Sequence, residues 1–170
     1  MPTSKRTPIV MGIDPGLATT GYGIIQESGS GYRLIAAGAI ITKPTLTFGK
    51  RLQRIYSDIG RLITRHHPSI IGIEQLFFAR NVSTALTVGQ ARGVICLACA
   101  HHACTIREFT PLQIKQALTG YGHADKVQMQ KMVTLILKLK TAPQPDDVAD
   151  ALAIALCTAQ TKHFVNQKTR

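Results

Sequence analysis

The sequence is poor in acidic residues and has no long apolar run. Nine residues are Asp or Glu against 20 Lys or Arg, which gives a formal net charge of +11. Such an excess favours a polyanionic partner, most simply nucleic acid, over a basic protein without one. No segment approaches the ~18 consecutive apolar residues of a membrane span, and the start, MPTSKRTP, lacks the apolar core of a signal peptide. We therefore expect a cytoplasmic protein.

Cysteine is also scarce, with four residues: Cys96, Cys99, Cys104 and Cys157. Cys96-x-x-Cys99, followed by two histidines, superficially offers zinc ligands. The segment 84–103, TALTVGQARGVICLACAHHA, is instead typical of one apolar helix, whereas zinc sites pair two short ligand motifs across a longer loop. Buried cysteines on a helix are the favoured interpretation, and a disulfide framework is not expected in a cytosolic protein.

The chain lacks internal repeats, and its 170 residues suggest one domain. We expect the domain over 9–161, between a disordered basic tail, 1–8, and a flexible C-terminal tail, 162–170. Hydrophobic periodicity predicts the order β-β-β-α-β-α-β-α-α-α, an α/β domain with a mixed sheet and helices on its faces. The predicted strands are 9–13, 22–26, 32–41, 69–74 and 105–109, and the predicted helices are 47–66, 83–103, 111–118, 126–139 and 147–161. The first three strands should form an antiparallel meander, and the fourth should lie parallel to the first.

Four of the nine acidic residues stand in apolar surroundings. Asp14 ends the run IVMGID, Glu74 ends SIIGIE, and Asp147 and Asp150 belong to PDDVADALAIAL. Buried like charges repel and raise one another's pKa unless a cation keeps them ionised. The pattern therefore predicts a divalent-metal site, and carboxylate ligands favour Mg²⁺ or Mn²⁺ over zinc.

Helix capping is the competing explanation for the aspartates at the start of the last predicted helix. Asp147 and Asp150 are three apart, which puts both on one face of a single turn, but Asp146 or Asp147 could equally cap the helix. Taken alone, the pair favours capping. The coincidence with Asp14 and Glu74, at the ends of two strands expected to be parallel, favours the metal site instead.

The glycine-rich turn in GIDPGLATTGYG has a second possible meaning. Such a turn after a strand can hold phosphate, as in the sugar kinases and actin-like ATPases, although a lone glycine turn is a weak signal. Those proteins need two related domains and usually far more than 170 residues. The ATPase interpretation is therefore disfavoured without being removed.

Three segments together carry a family resemblance: GIDPGLATTGYGII, IGIEQLFFARNVSTALTVGQARGVI and DDVADALAIAL. They closely resemble the RuvC Holliday-junction resolvases, and the resemblance spans about residues 9–159. It implies an RNase H-like fold, a homodimer and Mg²⁺-dependent cutting of four-way DNA junctions in recombination and repair. It also implies that Asp14, Glu74, Asp147 and Asp150 are the catalytic metal ligands. The family's D-x-x-D spacing selects Asp147, with Asp146 left as the alternative.

The resemblance extends to cofactors and DNA contacts. Two Mg²⁺ ions, ~4 Å apart in such sites, would flank the scissile phosphate, and Mn²⁺ can replace them. Phe77 matches an aromatic residue that the family places against the bases of the junction, and Lys115 and Lys126 match lysines near the scissile phosphate. Arg80 is a further candidate for a phosphate contact, on composition alone. The implied partner is a branch-migration motor of the RuvA and RuvB type.

Two other functions remain open from the sequence. The same carboxylates would serve an RNase H-like nuclease that acts on RNA–DNA hybrids or flaps, because substrate choice depends on shape and groove contacts. A non-catalytic junction-binding module is the second alternative, and the intact set of four carboxylates argues against it.

Overall fold

The computed structural model of the protein describes residues 7–75 and 82–167. Its five strands are β1 (Ile9–Asp14), β2 (Thr19–Ser28), β3 (Gly31–Ile41), β4 (Ile70–Glu74) and β5 (Thr105–Phe109). Its five helices are α1 (Phe48–His66), α2 (Val82–His101), α3 (Pro111–Thr119), α4 (Lys126–Ile136) and α5 (Asp146–Gln167). This order of elements confirms the prediction.

The strands form one mixed sheet in the order β3-β2-β1-β4-β5. β1, β2 and β3 make an antiparallel meander, while β4 pairs in parallel with β1 and β5 in parallel with β4. Both expectations about strand direction are thus confirmed. Because β1 and β4 are parallel neighbours, their carboxyl ends meet at one edge of the sheet, where ligands gather in α/β proteins.

Helices cover both faces of the sheet, as expected. On one face, Met11, Ile13 and Ile71 pack with buried residues of α1 and α2, including Ile55 and Ile95. On the other face, β1 and β2 pack against α5, and the core extends to α3 and α4. Burial of a large aliphatic side chain contributes about 1.5–3 kcal/mol, so both layers stabilise the sheet. None of the described helices combines the length and hydrophobicity needed to cross a bilayer.

Two helix ends differ from the prediction by three residues or more. α4 ends at Ile136 instead of 139, because Lys138 takes a left-handed conformation with φ of 52° that the helix cannot continue through. α5 continues to Gln167 instead of ending at 161, so the helix includes residues 162–167 of the expected tail 162–170. The residues 162–167, KHFVNQ, contain neither Pro nor Gly, and nothing in them interrupts the helix.

Candidate active site

Asp14 and Glu74 lie side by side at the ends of β1 and β4. Ile13 is paired with Ile73 in the parallel register, and each carboxylate follows by one residue. Neighbouring strands are ~4.8 Å apart, and side chains alternate between the two faces. Since Ile13 and Ile73 point into the core under α1 and α2, Asp14 and Glu74 point to the face covered by α5.

Glycines let the start of α5 approach this edge. Gly21 is the register partner of Asp14, and a Cβ atom at Gly21 would collide with the carbonyl group of Asp147. A Cβ at Gly12 would likewise collide with the carbonyl oxygen of Ala151. Only glycine permits such close approach of two backbones. The first turns of α5 therefore lie directly on β1 and β2, and Asp147 is brought to Asp14.

The electrostatics of Asp14 show that the four predicted carboxylates influence one another. The pKa of Asp14 is raised from 3.8 to about 7, mainly by burial and then by Asp150, Glu74 and Asp147, in that order of effect, against the opposing charge of Lys126. Burial is also the main cause of the raised pKa of Glu74 and of Asp150. Asp150 adds to the shift at Glu74, and Asp147 adds to the shift at Asp150. Three separate segments thus meet in one acidic cluster.

Two lysines face the acidic cluster from α3 and α4. Lys126 Nζ lies 2.9 Å from Asp146 Oδ2 and 3.9 Å from Asp150 Oδ2. The hydrogen bond to Asp146 is the main reason that the pKa of Lys126 is raised. Lys115 opposes the rise in the pKa of Glu74. Glu74, Asp150 and both lysines line one cavity of about 200 Å³ together with apolar side chains of α3, α4 and α5.

Asp146 and Asp147 have different surroundings, which the sequence alone did not separate. Asp146 accepts hydrogen bonds from Lys126 and, through Oδ1, from Gln130 Nε2 at 2.9 Å. The hydrogen bond from Lys126 lowers the pKa of Asp146. Asp147 instead acts on the pKa of Asp14. Sequence reasoning missed the pair Lys126–Asp146, since the two residues are far apart in the chain and belong to no common motif.

The chemistry of these side chains fits a hard divalent cation. Carboxylate oxygens are its usual ligands, and a cation would offset the repulsion that raises the pKa of Asp14. As they stand, however, no three His, Cys, Asp or Glu side chains among those that the structure describes, in 7–75 and 85–161, are arranged to hold one ion. Binding of an ion would therefore require these side chains to draw together.

The remaining candidate residues have separate outcomes. Phe77 and Arg80 fall at positions 76–81, outside the described residues. Cys99 and Cys157 are buried, as expected for small side chains in a core, whereas Cys96 and Cys104 are only half-buried. Burial raises the pKa of Cys99 to about 12, which disfavours the thiolate form that zinc binds.

Comparison with known proteins agrees with this arrangement. Residues 10–158 match the family described as crossover junction endodeoxyribonuclease RuvC. A RuvC of that description from Alkaliphilus oremlandii is 52% identical over 156 residues, which cover 92% of this chain and 95% of the relative.

Solved structures agree as well. The RuvC of Thermus thermophilus superposes with a TM-score of 0.85, at 36% identity, over 92% of this chain and 96% of that one. The same enzyme in complex with a Holliday junction substrate gives 0.85 at 33% identity over the same shares of the two chains. The yeast mitochondrial Holliday junction resolvase Ydc2 shares the fold, with a TM-score of 0.68 at 18% identity over 94% of this chain and 82% of that one. The expected RNase H-like fold is thus confirmed, and the chain belongs to the RuvC family of crossover junction endodeoxyribonucleases.

Proposed function

We propose that this protein resolves four-way DNA junctions by paired, symmetric, metal-dependent nicks in recombination and repair. The main supporting observation is Asp14, a half-buried carboxylate whose pKa is raised to about 7 by burial and by three other carboxylates from two distant segments. An arrangement so unfavourable to an empty site is typical of a functional site that binds a cation. Membership of the RuvC family, and the junction complex of the T. thermophilus relative, support DNA junctions as the substrate.

The proposed cofactor is Mg²⁺, two ions per site, with Mn²⁺ able to replace it. Asp14, Glu74, Asp147 and Asp150 are the residues that would hold the metal, because the other three carboxylates all act on Asp14. When bound, the metal supplies a water of lowered pKa and neutralises charge at the phosphate.

The lysines have a role distinct from that of the carboxylates. Lys126 and Lys115 line the same cavity as Glu74 and Asp150, so their ammonium groups are available to the phosphoryl oxygens on which negative charge develops. Hydrolysis with the 3′ oxygen as the leaving group yields a 5′ phosphate and a 3′ hydroxyl. A ligase can seal such ends. Phe77 and Arg80 are proposed to contact the bases and backbone of the junction.

A homodimer would match the symmetry of the junction. A C2 dimer presents two equal active sites to two equivalent strands. Helix α2 is the proposed interface, because Leu86 is 61% and Leu97 50% exposed, and eleven residues, about three turns, put both on one side of the helix. A branch-migration motor of the RuvA and RuvB type, in the cytoplasm, is the proposed partner.

A substrate panel tests the proposed function. The protein with Mg²⁺ would be offered an immobile four-way junction, a linear duplex, a flap and an RNA–DNA hybrid. Cutting confined to the junction supports a resolvase. Preferential cutting of the hybrid or flap would keep the metal site and assign the protein to another type of RNase H-like nuclease. Junction binding without cutting of any substrate would support the binding-module alternative.

A further inference from the structure

We infer that a second DNA-binding surface flanks the candidate active site and holds the duplex arm next to the cut strand. It consists of the exposed side chains of Lys43, Lys50 and Arg54, and we call it the α1 basic surface. The inference rests on the proposed function, since it names a further contact with the same DNA. None of these three residues belongs to the acidic cluster or its cavity.

The charge of this part of the chain is strongly one-sided. Residues 28–57 contain five Lys or Arg and no Asp or Glu. Lys50 Nζ donates to the neutral amide of Gln53 at 3.1 Å, which leaves its charge uncompensated. Arg54 pairs with Asp58 at 2.7 Å, but Arg61 pairs with the same carboxylate at 2.6 Å, so this group of three keeps a positive charge.

A hydrogen-bonded connection fixes this surface to the turn that follows Asp14. Thr42 is 2% exposed, and its hydroxyl donates to the carbonyl oxygen of Leu17 at 2.5 Å. Its backbone N–H donates to the carbonyl oxygen of Ala18 at 3.0 Å. Arg51 Nε in turn donates to the Thr42 hydroxyl at 2.8 Å. Since Lys43 follows Thr42 and Lys50 precedes Arg51, the connection holds both lysines near the turn.

The distances suit one continuous duplex. Asp14 pairs with Gly21 on β2, and Gly21 pairs with Ala39 on β3, so β3 lies two strands, about 10 Å, from β1. Asp14 and Leu17 are three residues apart, a span of at most ~11 Å, and the Thr42 hydroxyl is bonded to Leu17. Thr42 therefore lies within about 15 Å of Asp14. Successive phosphates of one strand are roughly 7 Å apart, because the strand winds around the duplex axis, so 15 Å corresponds to about two phosphates. A strand with one phosphate at Asp14 would therefore bring later phosphates to Lys43 and Lys50.

The chemistry of the surface favours phosphates over an acidic protein. Lys43 and Lys50 flank the rigid connection, and they offer long, exposed ammonium groups that suit a row of phosphates. Arg54, one helical turn after Lys50, extends the row along α1. Together with the overall net charge of +11, such a row of positive charges next to the active site would attract the DNA backbone.

The test compares two double substitutions that each remove two positive charges. Lys43→Gln/Lys50→Gln changes the α1 basic surface, and the control Lys138→Gln/Lys140→Gln changes two exposed lysines beyond α4. Junction affinity is measured in Ca²⁺, without cutting, over a range of salt concentrations. We expect the first variant to lose about one unit of the salt slope per lysine, and the control to keep the wild-type slope. Lys43→Arg/Lys50→Arg should restore the slope.

Neutral methylphosphonates placed about two and three nucleotides from the scissile phosphate locate the contact. They should weaken junction binding by the wild type and by the control variant. They should have no further effect on binding by Lys43→Gln/Lys50→Gln, because that contact is already lost. If both double variants bound the junction equally weakly, the effect would come from net charge alone and the inference would be overturned. The inference would also be overturned if Lys43→Gln/Lys50→Gln bound the junction like the wild type. A wild type that neither binds nor cuts junctions would instead contradict the proposed function itself.

Discussion

At the scale of single residues, Asp14 makes the stability of the metal-free protein depend on pH. Its pKa is raised from 3.8 to about 7, so between these values the folded protein holds a proton that the unfolded chain releases. The free energy of unfolding should therefore fall as pH rises through this window. The Asp14→Asn variant has a neutral side chain at this position. At pH 7.5 in chelator, its free energy of unfolding should exceed that of the wild type by roughly 2–4 kcal/mol.

Urea unfolding of both proteins measures this difference. It should shrink toward pH 4, where Asp14 is protonated in the folded protein and nearly half protonated in the unfolded chain. It should also shrink at pH 7.5 when Mg²⁺ is added, because a cation stabilises the ionised wild type. A wild type as stable as Asp14→Asn in chelator at pH 7.5 would show that this carboxyl is not held in an unfavourable environment.

Asp146 and Asp147 should respond differently to the same substitution. Asp147→Asn removes a charge that acts on Asp14, and we expect it to lower kcat by about 10²-fold or more. Asp146→Asn weakens the bonds to Lys126 and Gln130 and removes a charge near Asp150, but not one that acts on Asp14, and it should lower kcat by about tenfold or less. Single-turnover cutting at saturating junction measures both. If Asp146→Asn lowered kcat more than Asp147→Asn, Asp146 would be the metal ligand.

The sequence could identify the carboxylates but not the lysine pairing. Asp14 and Glu74 stand out because each ends a buried strand, and Asp150 because it lies on an apolar helix. The position of Lys126 depends on how α4 packs beside α5, and no local pattern encodes that packing. The contact with Asp146 therefore required the structure.

At the scale of elements, the fit between α5 and the sheet depends on glycine. A methyl group at Gly12 would collide with the backbone of α5 at Ala151, so Gly12→Ala should destabilise the protein by about 1–3 kcal/mol. At Gly31, which has open space and no positive φ, the same change should cost less than about 0.5 kcal/mol. Thermal or urea unfolding compares the two, and equal stability would contradict close packing of α5 on β1.

The order of the elements could be predicted because each has a clear hydrophobic period or apolar run. β4 and β5 are short runs between turn residues, and α1 has a regular stripe of buried isoleucines at Ile55, Ile59 and Ile63. The ends of α4 and α5 could not be predicted. One depends on a left-handed residue, Lys138, and the other on a polar stretch without a helix breaker.

At the scale of the whole molecule, the proposed dimer depends on α2. Leu86→Asp/Leu97→Asp should give a monomer in sedimentation velocity, because the substitutions place charges in an apolar interface. Leu135→Asp alters a leucine on α4 that is 70% exposed, and this control should leave the mass unchanged. The monomer should also lose paired cutting. A dimer that persists in the double variant would assign the interface to another surface.

The most direct test of the central claim is a cleavage assay on an immobile four-way junction with a distinct label on each strand. With Mg²⁺, the wild type should cut two opposite strands at symmetric positions and leave ends that a ligase seals. Asp14→Asn should bind the junction with similar affinity but cut neither strand. Cuts that persist in Asp14→Asn, or that fall at unrelated positions in single strands, would contradict a junction resolvase built on this acidic cluster.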